Sequence, residues 1–173
     1  MVFDPAKHNR ISIRIPGYDY SQPGLYYITI CIQNRICLLG KITDKKMILN
    51  DAGKMIEKWY FEMENKYPNT KCREYVVMPN HIHFIIEILD DGDIDVHREK
   101  MDAHGTDMVG WFKTMTTNEY IRMVKTKNWP RFNKRLWQLR YWDWVVRGKN
   151  DYARISNYIR NNPAQWEENQ FKP

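Results

Sequence analysis

The chain has few cysteines, no metal-spaced cysteine pair, no long apolar run and no repeat, and each absence removes a class of protein. Three cysteines among 173 residues, Cys31, Cys37 and Cys72, are an odd number without CxxC spacing. That excludes a disulfide framework and a cysteine zinc site, and fits a reducing cytoplasm. No apolar stretch approaches the roughly 18 residues of a membrane span. The opening MVFDPAKHNRISIRIPGYDY has basic residues but no apolar core or small-residue cleavage site, so no secretion signal is expected. With 43% hydrophobic and 28% charged residues the composition is that of a globular protein, and the length suits one domain over 1–173.

Charge is plentiful and unevenly spread. The net value is +6, yet residues 87–102, EILDDGDIDVHREKMD, hold seven acids against two bases, so the remainder carries an excess of eleven positive charges. Between Trp111 and Arg160 twelve Lys and Arg face three acids and are interleaved with eleven aromatics. Cations that displace counterions from phosphates, beside rings that stack on unpaired bases, suit single-stranded nucleic acid. A basic surface over an aromatic core would read the same way.

Residues 1–24, with three prolines and two glycines, read as an irregular arm. LYYITICIQ (25–33) reads as a strand, and LLGKI and KMILN, joined by a TDKK turn, as strand pieces expected to pair with it. After Asn50 and Asp51 come Met55, Ile56, Trp59, Tyr60 and Met63, whose three- and four-residue steps predict a capped amphipathic helix closed at Pro68. CREYVVM and HIHFIIEIL predict two strands around a Pro79-Asn80 turn, and 90–104 a solvated acidic loop. Helical spacing resumes through Met108, Trp111, Phe112, Met115 and Tyr120. RLWQLRYWDWVVR (135–147) reads as an extended aromatic segment and YARISNYIRNN as a short helix stopped by Pro163. This order predicts an α+β fold, an antiparallel β-sheet with helices packed mainly on one face, the other left free for ligand.

VVMPNHIHFII (76–86) sets two histidines in an otherwise apolar strand. Strand alternation points His81 and His83 to one face and Ile82 and Phe84 to the other. Two adjacent imidazoles can share a metal, or can be satisfied core histidines, and Glu87, further along that face, can join them or end in solvent. A third donor must come from elsewhere. Tyr158 and Asn162, four residues apart, share a helix face. An amide oxygen beside two imidazoles tolerates Mg2+ or Mn2+, and a phenol next to such an ion can attack a phosphodiester. Tyr158 also reads as packing beside Ile155 and Ile159, and Tyr152 is a rival nucleophile.

PNHIHFII resembles the HUH motif, two histidines around a bulky hydrophobe, of the one-tyrosine single-strand DNA transposases. RISIRIPGYDYSQPGLYYITICIQNR resembles that family's N-terminal block, LWQLRYWDWVVR its WQ-aromatic segment and YIRNNPAQW its tyrosine helix. Four blocks in order resemble most nearly the REP-associated tyrosine transposases. The resemblance implies a ferredoxin-like or RRM-like fold, His81, His83 and Asn162 as ligands of a divalent ion (Mg2+ or Mn2+), and Tyr158 as nucleophile. It implies strand transfer through a 5′-phosphotyrosine on single-stranded or hairpin DNA, by a monomer or a homodimer. Two departures stand out: Trp144 occupies a position where relatives often carry His or Arg, and GTDMVGWFK matches the family's small-residue helix opening only loosely.

For DNA the candidates are Lys113, Arg122, Lys125, Lys127, Arg131, Lys134, Arg135, Arg140 and Arg147 at phosphates, and Trp137, Trp142 and Trp144 for stacking. A non-catalytic, domesticated binder of single strands remains an alternative, as does a metal hydrolase in which water attacks and Tyr158 is structural. A nucleotide hydrolase with a longer histidine triplet fits poorly, because Phe84 and Ile85 stand where a third alternate histidine would be required.

Overall fold

A computed structural model describes residues 22–90, 105–168 and 171–173. The expected arm (1–24) and acidic loop (90–104) lie for the most part outside the described residues. In chain order the elements are β1 (Gly24–Cys31), the hairpin strands β2 (Gly40–Thr43) and β3 (Lys46–Leu49), α1 (Asp51–Lys66), β4 (Thr70–Met78), β5 (His81–Ile88), α2 (Gly105–Lys127), β6 (Trp142–Val146) and α3 (Gly148–Asn161). A 3-10 segment, Asn162–Glu168, continues directly from α3.

Local chemistry explains several of these boundaries. The Asn50 side chain accepts from the Gly53 amide at 2.9 Å, which satisfies one of the orphan donors opening α1. The chain enters α3 through its first residue, Gly148, at φ +75°, a conformation that a residue with a Cβ adopts only at a cost. Pro79 and Asn80 alone join β4 to β5.

Four strands form one antiparallel sheet in the order β4-β5-β1-β6, so β1 is central and has both edges taken. That leaves no place for LLGKI and KMILN beside β1. Contrary to the sequence expectation, β2 and β3 pair only with each other, around Asp44 and Lys45 at φ 49° and 60°, as a separate hairpin. The 135–147 segment also divides: Trp137 makes an isolated bridge to Ile32, and only Trp142–Val146 joins the sheet.

Opposite residues in an antiparallel sheet share a face, so the register sorts the side chains. Ile28 stands opposite Phe84 and Ile30 opposite Ile82, and these pack with Tyr60 and Met63 of α1 and Phe112 and Tyr120 of α2 in the main core. Fully burying a side chain of this size is worth about 1.5–3 kcal/mol, so this face supplies most of the fold's stability. Thr29 stands opposite His83, Cys31 opposite His81 and Tyr27 opposite Ile85 on the second face. There α3 lays Ile155 and Ile159 against Ile85 and Val146. Of the three α-helices among the described residues, two therefore pack on one face, as expected, but the other face is not left free: α3 crosses it.

Candidate active site

The α3 face brings His81 and His83 together. Their Nε2 atoms are 3.0 Å apart and both rings are buried, at 0% and 1% exposure. Ile82 and Phe84, fully buried on the opposite face, hold β5 in the orientation that aims both imidazoles this way. Each ring is held at Nδ1 as well. Asn80 Oδ1 lies 2.7 Å from His81 Nδ1, while Thr29 Oγ1 and the Tyr27 hydroxyl lie 2.6 and 2.8 Å from His83 Nδ1. Burial disfavours the charged form of both: it pushes His83 down to about 3 and His81 well below its ordinary value, with the neighbouring His83 adding to the latter shift. Neutral imidazoles with inward-facing nitrogens are the form that ligates a cation.

Tyr158 reaches this pair from α3 in the same chain. Its ring centroid is 5.3 Å from that of His83 and 6.5 Å from that of Tyr27. The ring is 37% exposed, the one member of the group that solvent reaches substantially. Burial raises the phenol above its ordinary value, and a hydrogen bond with Asn162 opposes that rise. Asn162, one helical turn along, is buried. The rival tyrosine is engaged elsewhere: the Tyr152 hydroxyl donates to the Glu74 carboxylate, which Arg160 also contacts at 3.0 Å. Glu87 accepts from Arg73 in an ion pair at the strand end rather than joining the histidines.

The donor set suits a divalent cation. Two nitrogens each about 2.1 Å from one ion and at right angles to each other lie about 3.0 Å apart, the observed Nε2 separation. Among the described residues no three His, Cys, Asp or Glu side chains gather into a site. A third protein donor would therefore be of another type, and the Asn162 amide, hydrogen-bonded to Tyr158 at the end of α3, is the candidate. Two aromatic side chains cover the imidazoles. Trp166 stacks at 6.1 Å from His81, and Phe171 lies 4.7 Å from His81 and 5.7 Å from His83, with Trp142 at 5.4 Å from Phe171.

The residues expected at DNA divide by position. Arg122, Lys125, Lys127, Arg131, Lys134, Arg135, Arg140 and Arg147 are exposed, Arg122 with an ion pair to Glu119 at 3.3 Å. Lys113 is not presented in that way: its ammonium donates to the carbonyls of Gln138 and Leu139 at 2.8 and 3.2 Å, and burial lowers it to about 8. Trp137 is a correction to the stacking set. It sits in the core at 4% exposure against Phe112, with Nε1 donating to Thr116 at 2.8 Å, and presents no face to a base. Trp142 is half-buried. Trp144 is 54% exposed and stands opposite Tyr27 in the sheet, its Nε1 3.1 Å from Asp151.

Sequence reasoning missed Tyr27, Thr29, Asn80, Trp166 and Phe171. The period-two alternation of LYYITIC carried a signal for the first two, since Tyr27 and Thr29 share a strand face, and Asn80 adjoins the histidine motif. Nothing local announced Trp166 or Phe171, whose contacts with β5 reach across 85 to 90 residues of sequence.

Comparison with known proteins follows the same lines. No protein-family model matches the chain. It is 34% identical over 176 residues to an uncharacterised protein of Haemophilus influenzae, covering 98% of this chain and 96% of that one. It is 25% identical over 150 residues, 85% of this chain and 74% of the relative, to a Haemophilus influenzae protein provisionally named a REP-associated tyrosine transposase. Among solved structures, a REP-associated tyrosine transposase bound to a REP hairpin superposes with a TM-score of 0.59, at 22% identity over 91% of this chain and 74% of that one, and so shares the fold.

Proposed function

We propose that this chain, which is similar in sequence and in fold to REP-associated tyrosine transposases, cleaves and rejoins single-stranded DNA beside a hairpin through a covalent bond to Tyr158. The observation that carries this reading is the meeting, within one chain, of the His81–His83 pair with Tyr158 and its partner Asn162. A relative's name points to DNA processing, and a structural neighbour holds a REP hairpin.

His81, His83 and Asn162 would hold a divalent cation, Mg2+ or Mn2+. When bound, that ion supplies positive charge for the nonbridging phosphate oxygens and makes the phenolate accessible at neutral pH. The chain's own residues do the rest. Ile82 and Phe84 fix the strand, Asn162 steadies the Tyr158 hydroxyl, and α3 carries that hydroxyl to the exposed edge of the site. Attack of Tyr158 Oη on phosphorus forms the P–O(Tyr) bond and breaks the P–O3′ bond; the phenolic proton is lost and the departing 3′-oxygen gains one. The 5′-phosphotyrosine keeps the phosphodiester's energy, so a later 3′-hydroxyl can displace Tyr158 without ATP. Exposed cations, including Arg131, Lys134, Arg135 and Arg147, would neutralise phosphates, giving binding that weakens steeply with salt.

One observation favours the rival reading of a binder without chemistry: Trp166 and Phe171 lie over the imidazoles and bury them. The two readings part in one assay. Labelled hairpin DNA with a single-stranded flank should, with Mg2+, become covalently attached to the wild-type protein and not to the Tyr158→Phe variant. DNA binding without adduct under any divalent cation would establish the binder, and strand cleavage that survives Tyr158→Phe would establish a hydrolase.

A further inference from the structure

The two imidazoles are held at Nδ1 by chemically different partners. Asn80 approaches His81, and its amide orientation is settled by its other contacts: Nδ2 donates to the carbonyls of Arg35 at 2.9 Å and Phe171 at 2.7 Å. Both amide protons are thereby used, and Oδ1, which only accepts, is what remains for His81 Nδ1 at 2.7 Å. His81 Nδ1 must then carry its proton, and His81 Nε2 must present a lone pair. His83 is different. Its Nδ1 meets two hydroxyls, Thr29 Oγ1 at 2.6 Å and Tyr27 at 2.8 Å, themselves 3.2 Å apart. A hydroxyl donates or accepts by rotating, so this pair accommodates either tautomer of His83.

Resting on the reading of His81 and His83 as cation ligands, the geometry points to Asn80 as a positioning residue that locks His81 in its Nδ1–H tautomer, with Thr29 and Tyr27 letting His83 exchange tautomers. Without a cation, His83 donates from Nε2–H to the His81 Nε2 lone pair across 3.0 Å, and His83 Nδ1 accepts from a hydroxyl. Every nitrogen of the pair is then satisfied in a buried site, where an unmet polar group is costly. A bound cation needs both Nε2 lone pairs. His83 therefore loses the proton on Nε2 and gains one on Nδ1, remaining neutral, while Tyr27 ceases to donate to Nδ1 and Thr29 Oγ1, whose own proton goes to Tyr27, accepts from it. One ring is preset and the other adapts, so a single proton shift separates the two states. Because Asn80 also grips the Phe171 carbonyl, the side chain that sets His81 ties the C-terminal segment to the same point.

Two readouts test this, and only one needs a cation. Ring-nitrogen NMR of the cation-free protein should show His81 protonated at Nδ1 and His83 at Nε2; saturating Mg2+ should move the His83 proton to Nδ1 and leave His81 unchanged. By calorimetry Asn80→Ala should lose about 10- to 100-fold in Mn2+ affinity, the usual scale for removing a partner of a ligating histidine. Asn80→Asp keeps an acceptor for Nδ1 but loses both Nδ2 donations to the Arg35 and Phe171 carbonyls, so it should lose stability yet retain more Mn2+ affinity than Asn80→Ala. His81 found protonated at Nε2, wild-type Mn2+ affinity in Asn80→Ala, or equal losses in Asn80→Ala and Asn80→Asp would each overturn the proposal. If Asn80→Ala does not fold, the double variant Tyr27→Phe, Thr29→Val, which removes both hydroxyls and preserves side-chain shape, carries the test at His83: a His83 that still moves its proton on Mg2+ addition, with unchanged Mn2+ affinity, rejects the role of the hydroxyls. A wild-type protein that binds no cation defeats the functional reading, while the tautomer assignment of the free protein still stands or falls by NMR.

Discussion

The two faces of one sheet are made from the same strands and do opposite work. On the face toward α1 and α2, Ile28, Ile30, Ile82 and Phe84 form a dry core. On the face toward α3, their immediate neighbours Tyr27, Thr29, His81 and His83 form a chain of polar groups that hydrogen-bond to one another. A shift of one residue in β5 would exchange the faces, placing imidazoles in the core and isoleucine at the site. The apolar face thus specifies the position of the polar one: stability on one side provides the rigidity with which the other aims its nitrogens.

If so, substitutions on the two faces should fail in different ways. The largest effect belongs to the polar face. Replacing His81 and His83 together by Ala should lower Mg2+-dependent adduct formation by at least about a thousandfold, the scale of losing a metal that stabilises transition-state charge, and urea unfolding should show the protein still folded. Phe84→Ala, one residue away on the apolar face, should cost about 3–5 kcal/mol of stability by the same unfolding measurement. Activity in that variant should fall with the folded fraction rather than ahead of it.

The faces should also respond differently to pH. In the cation-free protein both histidines stay neutral where the unfolded chain would protonate them near pH 6.5, with His83 held to about 3. A depressed folded-state value means that their contribution is complete above pH 6.5 and is lost as pH falls toward 3. Each ring can remove at most about 1.4 kcal/mol of stability per pH unit in that window. A His81→Gln, His83→Gln variant should show a visibly flatter stability profile from pH 6.5 to 4.

Smaller effects sharpen the boundary of the site. Trp144→Ala, which removes an exposed ring beside Tyr27, should weaken single-strand binding by about 1–3 kcal/mol in a fluorescence titration, the worth of one stacked base. Tyr152→Phe should cost about 1 kcal/mol of stability or less through its lost bond to Glu74, and leave adduct yield unchanged.

How far this was legible in the sequence follows from the range of the interactions. The α1 cap at Asn50, the period-two alternation of HIHFII and the helix spacing of Tyr158 and Asn162 are encoded within a few residues, and the elements stand where the pattern put them. What depends on distant partners was not legible. The pairing of β2 with β3 alone follows from β6 claiming the edge of β1, and β6 lies a hundred residues downstream. Trp137 reads as a basic-segment aromatic until its bridge to Ile32 draws it into the core. The roofing of the histidines by Trp166 and Phe171, and the grip of Asn80 on the Phe171 carbonyl, join chain ends that no local pattern connects.

The central claim is that Tyr158, beside the histidine pair, is the residue that takes the DNA strand. Peptide mapping by mass spectrometry after incubation with hairpin DNA bearing a single-stranded flank tests it directly. The expected result is one 5′-phosphotyrosine, on Tyr158, formed with Mg2+ or Mn2+ and absent with chelator. A phosphotyrosine on Tyr152, an adduct that forms without a divalent cation, or cleaved strands with no adduct on any tyrosine would contradict the account.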